Sequence, residues 1–248
     1  MIPSSPQRTR KFLLLSCLAF WGPDLLVPAA WSKSDTYALL STLYQEALVV
    51  AGFWYGPAIC RALVVREIVD GSVRRAVDQT LAELGRRTGP ARLADIPVTL
   101  VEYPRPFVVT AGLLPGQSRI FLSSALAERL GTPGLRFLIA RALAHGSLSQ
   151  RLAALVPLLV LTVALSDAPE NARAWLGLAG ALLGCLALHW LFELRADRQA
   201  ARAMGPDAAA GLREVLAASA TPGGWLSLRP PVRWRQHMVE PVSSSSEA

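Results

Sequence analysis

The chain has 248 residues, of which 52% are hydrophobic and only 17% charged, and its mean hydropathy of +0.35 is more apolar than a soluble domain of this size requires. The formal net charge of +7 comes from arginines that flank the apolar runs, among them Arg8, Arg10, Arg61, Arg66, Arg151, Arg195, Arg198 and Arg202, which is the positive-inside pattern of a membrane protein. No RNP, zinc-finger or helix-turn-helix signature accompanies them, so nucleic acid is excluded as a partner and the lipid bilayer is the first partner expected.

Residues 1–66 read as N-terminal membrane segments, with spans at about 12–31 and 37–65. The first is interrupted by Pro23, Asp24 and Pro28 and reads as a short span, a re-entrant segment or a signal peptide; no convincing cleavage site follows it, which favours a retained anchor over a cleaved signal. The second carries Gln45, Glu46 and Pro57. Cys17, Cys60 and Cys185 lie in or beside apolar runs and read as buried thiols, not as a disulfide framework.

Residues 67–151 change character and read as an α+β domain. Val69, Val73, Val77, Leu81 and Leu84 recur at helical spacing, predicting an amphipathic helix from Glu67 to Arg87 that Gly89-Pro90 ends. "IPVTLVE" (96–102), "PFVVTA" (106–111) and "SRIFLSS" (118–124) are β-branched and aromatic runs separated by turn residues, which predicts a small sheet. Ser124 or its neighbour should cap a helix reaching Leu130. A break at "GTPG" follows, and helix resumes from Leu135 to His145.

Residues 152–192 predict a transmembrane hairpin, with apolar limbs Leu152–Leu165 and Ala174–Phe192 joined by the polar "SDAPENAR". Arginines at its outer ends place both ends, and with them the α+β domain and the tail, on the cytoplasmic side. Residues 193–240 return to the domain: a helix Glu193–Ala203 stopped by Gly205-Pro206, a second helix Asp207–Ala218, and an irregular stretch over "TPGGWLSLRPPVRWRQHM". Residues 241–248 are expected to form a disordered tail.

Two segments carry candidate chemistry. In the zinc-peptidase motif H-E-x-x-H, two histidines four apart hold the metal from one helix face, and the glutamate activates the metal-bound water. The segment "LRFLIARALAH" has the outline of that helix, but its five motif positions read Arg141, Ala142, Leu143, Ala144 and His145. In "HWLFELRAD", Glu193 and Asp197 are four apart and share a helix face, with His189 one turn earlier. This spacing suits a carboxylate ligand followed by an acid that orients a ligating histidine, and it equally suits interfacial charges on a helix leaving the membrane.

Taken in order over roughly residues 67–237, the segments resemble the HtpX-like and CAAX-prenyl-protease-like family of membrane zinc metallopeptidases. "RPFVVTAGLLPGQSRIFLSSAL" is similar to the family's strand, Gly-containing loop and strand before the zinc helix. "LRFLIARALAH" stands at the H-E-x-x-H position, a two-span hairpin follows, and "ELRAD" matches E-x-x-A-D. "RPPVRWR" resembles the late "HPP…R" motif, with Arg235 at the arginine position and Arg229 where histidine is usual.

The resemblance implies a multi-span helical protein of the bacterial inner membrane carrying a small cytoplasmic gluzincin-like α+β domain. It also implies that His145 fills the second zinc-histidine position, Glu193 the third ligand and Asp197 the acid behind the ligands. Arg141 then stands at the first histidine position and Ala142 at that of the general base. A guanidinium stays protonated and opposes Zn²⁺, and loss of the base alone removes about 10²- to 10⁴-fold in rate. The expectation is a catalytically inactive pseudopeptidase without zinc, in which Arg141 pairs with Glu193 or Asp197 and the former cleft binds a polypeptide or a membrane-protein partner. The alternative is an active zinc endopeptidase with a substituted site of His145, His189 and Glu193.

Overall fold

The computed structural model describes residues 6–64, 66–88, 96–147, 151–152, 155–157, 159–160, 172–218 and 229–244. The chain is mostly helical with one small mixed sheet, an α+β protein. The expected first hairpin limb, Leu152–Leu165, lies largely outside the described residues, as does most of its connecting loop. Residues 245–248 of the expected tail lie outside them as well.

The first helix, α1, runs Pro6–Leu26 and carries Pro23 within it; a single turn, α2 (Ala29–Ser32), leads into α3 (Asp35–Trp54). Asp24 is satisfied from α3: Tyr37 donates its hydroxyl to Asp24 Oδ1, and Ser41 Oγ donates to the same atom at 3.1 Å. The chain breaks at Tyr55, and Pro57 opens α4 (Gly56–Leu63), where its missing N–H costs nothing. Arg8 Nη1 donates to the carbonyls of Ala62 (3.3 Å) and Val64 (3.1 Å), so the start of α1 and the end of α4 lie together. Leu14, Leu15 and Leu18 on α1 and Leu39, Leu40 and Leu43 on α3 face outward, a large apolar exposure for an aqueous surface. Cys17 is exposed on α1, contrary to the expected buried thiol, because α1 has no cover on that side among the described residues. Cys60 is buried as expected.

The predicted sheet forms in all its strands: β1 (Val98–Val101), β2 (Val108–Ala111) and β3 (Arg119–Ser123). β3 is central, parallel to β1 with Leu100 opposite Leu122, and antiparallel to β2 with Val109 opposite Phe121. Residues 66–68 cover the other side of β1, through Ile68 N to Leu100 O (2.8 Å) and Glu102 N to Arg66 O (3.0 Å). This pairing delays the amphipathic helix α5 to Ser72–Thr88, five residues later than its periodicity implied. Among the described residues no strand pairs with the outer side of β2.

Ser123 caps α6 (Ser124–Arg129), accepting from Leu126 N at 3.3 Å. Helix α7 (Thr132–His145) starts earlier than expected, since Pro133 falls in its first turn instead of interrupting it. Its N-terminus takes a partner from far along the chain: Gly134 N donates to Glu214 Oε2 at 3.1 Å. The expected second hairpin limb and the helix after it are one helix, α8 (Ala172–Met204), of 33 residues. At 1.5 Å per residue it is about 50 Å long, more than the hydrocarbon thickness of a bilayer. By length and composition it alone among the described residues suits a membrane crossing. Its first half exposes Trp175, Leu176, Leu182 and Leu183, and its second half buries Leu194, Ala196, Ala200 and Met204.

The remaining helices are α9 (Ala208–Ala218) and α10 (Val232–Ser244). The latter takes the place of the irregular chain expected over residues 232–238 and holds helix through residues 241–244, while residues 221–228 of that stretch lie outside the described residues. The core packs α5, β1, β3, α6, α7, the second half of α8, α9 and α10 around Leu84, Leu100, Phe137, Ile139, Met204 and Leu212. Gly211 lets α9 lie directly on α7, since a Cβ there would stand 2.6 Å from Pro133 O.

Candidate functional site

The site is built where α7, α8 and α10 cross beneath β2. On α7, a spacing of four puts Arg141 and His145 on one face; on α8 the same spacing aligns Glu193 and Asp197. The structure brings all of them together. Arg141 donates Nε–H to Asp197 Oδ1 at 2.7 Å and Nη2–H to Glu193 Oε2. His145 Nε2 lies 3.3 Å from Glu193 Oε1. From α10, Arg235 forks onto Asp197, with Nε to Oδ2 at 2.7 Å and Nη2 to Oδ1 at 3.0 Å. Asp197 has no solvent exposure and accepts from both guanidinium groups, so its charge is compensated in place.

The electrostatics follow from burial and these contacts. Burial opposes the charge of Arg141, but the carboxylates of Glu193 and Asp197 outweigh it and hold the guanidinium more firmly protonated than usual. Burial likewise opposes ionisation of Glu193, and the Arg141 charge overcomes it, so the carboxyl sits below its ordinary range. His145 is pushed down to about 4 by burial and by the neighbouring Arg141, and is therefore neutral near pH 7. Arg229 is lowered by burial and by the like charges of Arg141 and Arg235.

These groups open onto a cleft of about 820 Å³. One wall is β2, Val108 to Ala111 with Gly112 after it; the floor is Arg141, Ala142 and His145. Gly52, Phe53 and Gly56 from α3 and α4, and His189 from α8, complete the lining. Thr110 Oγ1 donates to the carbonyl of Ala142 at 3.1 Å, which fixes the height of β2 above α7. Gly112 adopts a φ of +104°, and a Cβ there would meet Pro57 Cγ at 2.9 Å, so α4 closes directly on the end of β2. Trp190 stacks edge-to-face on Trp234, with ring centroids 5.8 Å apart, and so ties α8 to α10 beside the site.

The side chains present do not fit a catalytic zinc. Such an ion needs three protein ligands and an open position, and here His145 and Glu193 are joined by a guanidinium that already occupies Glu193 Oε2. His189 lines the same cleft, yet among the described residues no three His, Cys, Asp or Glu side chains stand where they could hold a metal together. Ala142 is buried and offers no base.

Sequence reasoning singled out Arg141, His145, Glu193, Asp197, Arg229 and Arg235, and each lines the cleft or lies directly behind it. It missed Arg105, Thr110 and Arg151. Arg151 had a visible signal, an arginine at the foot of an apolar run, which reads first as a membrane-flanking charge. No protein-family model matches the chain, and no curated protein does.

Proposed function

We propose that this is an integral membrane protein with a metallopeptidase-like, gluzincin-like cytoplasmic domain, catalytically inactive and metal-free, which uses its cleft to bind a polypeptide or a membrane-protein partner. The observation that carries this reading is Arg141: at the position where the resemblance expects a zinc histidine, a guanidinium bridges Glu193 and Asp197. A cation fixed between the two acids takes over the charge compensation that a metal would supply and leaves no water to activate.

Binding of an extended chain is supported by β2, whose outer side carries no partner strand among the described residues and whose residues line the cleft. Strand addition depends on backbone groups and survives the loss of a metal. The multi-span reading is supported by the antiparallel course of α1 and α3 and by Arg8 closing onto Val64, which gathers Arg8, Arg61 and Arg66 at one end beneath outward-facing leucines. On the positive-inside rule that end is cytoplasmic, in a bacterial inner membrane, as are Arg195, Arg198 and Arg202 on α8.

The competing reading is an active zinc endopeptidase using His145, His189 and Glu193; the observation in its favour is that all three line one cleft. Elemental analysis of the purified protein, paired with casein hydrolysis with and without chelator, separates the two. The proposal expects substoichiometric zinc, no chelator-sensitive hydrolysis, and binding of unfolded casein that competes with an extended peptide but not with its backbone N-methylated analogue. Stoichiometric zinc with chelator-sensitive cleavage would overturn it.

A further inference from the structure

The cleft holds more positive charge than its acids balance. Arg105, Arg141, Arg151, Arg229 and Arg235 line it, and Glu193 is the one carboxylate among its described lining residues. Glu193, and Asp197 behind it, are engaged by Arg141 and Arg235, so among the described lining residues neither acid is left to pair with Arg105 or Arg151.

Arg151 is the critical member of this group. It is only 5% exposed, and its Nε donates to the carbonyl of Gly146 at 3.2 Å, but among the described residues its buried Nη2 has no hydrogen-bond partner. A buried guanidinium nitrogen without an acceptor is costly, and native structures rarely leave one so. Burial lowers the Arg151 guanidinium only to about 10, so it remains charged at neutral pH and the missing partner is an acceptor.

We propose that the cleft seats a phosphate group, from an anionic phospholipid headgroup or from free phosphate, with Arg151 as the buried anchor and the exposed Arg105 and Arg229 at the mouth. The chemistry favours phosphate over a single carboxylate. One carboxylate satisfies one guanidinium fork and cancels one charge, whereas a phosphate offers several oxygens to arginines arriving from separate segments. The cleft reaches Gly52 and Phe53 at the end of α3 and His189 just past the apolar first half of α8, so a lipid headgroup would arrive there with its chains beside apolar helix surface. The inference goes beyond the polypeptide-binding reading: it uses no peptide and stands or falls by a different ligand.

The test uses the full-length protein in neutral detergent and in nanodiscs. Binding of inorganic phosphate is followed by thermal shift and calorimetry at matched ionic strength. Retention of phosphatidylglycerol against phosphatidylcholine is followed by native mass spectrometry. The expected result is saturable binding of one of these probes that weakens about tenfold or more in Arg151→Gln, from loss of a charge-assisted hydrogen bond. A smaller weakening is expected in Arg105→Gln.

Saturation by inorganic phosphate identifies a free anion as the source, and selective retention of phosphatidylglycerol without it identifies the headgroup. If Arg151→Gln does not fold, Arg229→Gln and the exposed Arg105→Gln carry the comparison. Equal binding by parent and variants, or no binding of either probe, overturns the proposal while leaving the polypeptide reading intact.

Discussion

Replacing Arg141 with leucine removes a cation that touches both Glu193 and Asp197, and its cost follows from the contacts. Asp197 keeps the two-point fork of Arg235, so it remains paired. The loss falls on Glu193, whose side chain is 16% exposed and whose other close polar neighbour is the neutral His145. Removing one partner of a buried pair typically costs about 3–5 kcal/mol. With Asp197 still held and Glu193 able to take up a proton, the lower end of that range, about 3 kcal/mol, applies near pH 8. For a chain of this size that corresponds to roughly 6–12 °C in melting temperature.

The pH dependence of that variant is the sharper test. In the parent, Glu193 titrates below its ordinary value, so its ionisation stabilises the fold above the unfolded value and that stability is lost as pH falls through the folded one. Without Arg141, burial raises Glu193, so the folded form holds the proton more tightly. Stability is then present at acid pH and lost as pH rises through the raised value. His145 also rises once the Arg141 charge is gone, since that charge is among the causes of its depression. Both changes move the stability optimum to lower pH and shrink the deficit near pH 5. Circular-dichroism melts of parent and Arg141→Leu in detergent from pH 5 to 8 would show it. A deficit below about 1 kcal/mol, or one that does not change with pH, would refute the reasoning.

In the parent, His145 sits near 4 when folded, so stability should fall as pH drops from about 6.5 toward about 4, by roughly 3 kcal/mol over the whole window. His145→Gln should flatten that part of the melting-temperature profile. Reporter fusions after Arg87 should read cytoplasmic and fusions between Asp167 and Arg173 non-cytoplasmic; a cytoplasmic signal from the latter would sink the proposed topology. The double change Arg141→His with Ala142→Glu should give zinc binding measurable by elemental analysis before it gives casein hydrolysis. It completes a His, His and Glu ligand set, whereas turnover also needs a donor for the oxyanion where this chain has Arg229.

The sheet and its order of appearance were legible because each strand is a short β-branched or aromatic run bounded by turn residues, and local pattern decides such elements. The meeting of Arg141 with Glu193 was expected from the family resemblance, which sets the two helices face to face; the spacings of four fixed only which side chains share a face of each helix. The continuity of α8 was hidden by composition: at Phe192 the surroundings change from apolar to charged, which looks like a boundary, but no Gly or Pro interrupts the backbone there. Solvent changes along such a helix while its hydrogen bonding does not. The helix α10 was concealed in the opposite way, since Pro230-Pro231 and the serines after Val242 read as irregular chain, although prolines just before a first turn favour a helix start. Glu214 meeting Gly134, and Arg151 meeting the cleft, depend on tertiary approach and left no mark on local pattern.

The charge arrangement at the crossing of α7, α8 and α10 holds together without any ion. Arg141 and Arg235 set against Glu193 and Asp197 form a neutral cluster in which every close contact joins opposite charges. Asp197, with no exposure, is the member least able to lose a partner, and of the two acids it is the one held by two guanidinium groups. The core around it is sealed by Ala196, Ala200, Ala201 and Met204 from the same helix, and none of these depends on an ion for its packing. The guanidinium of Arg141 meets a carboxylate directionally at each of two points, and so fixes the crossing of α7 and α8 through Glu193 and Asp197. That is why Arg141→Leu and Arg141→His should diverge. The first leaves Glu193 buried without its cation, and the second restores a ligand that can recover the lost compensation only when zinc is supplied, so its melting temperature should rise with added zinc while that of Arg141→Leu does not.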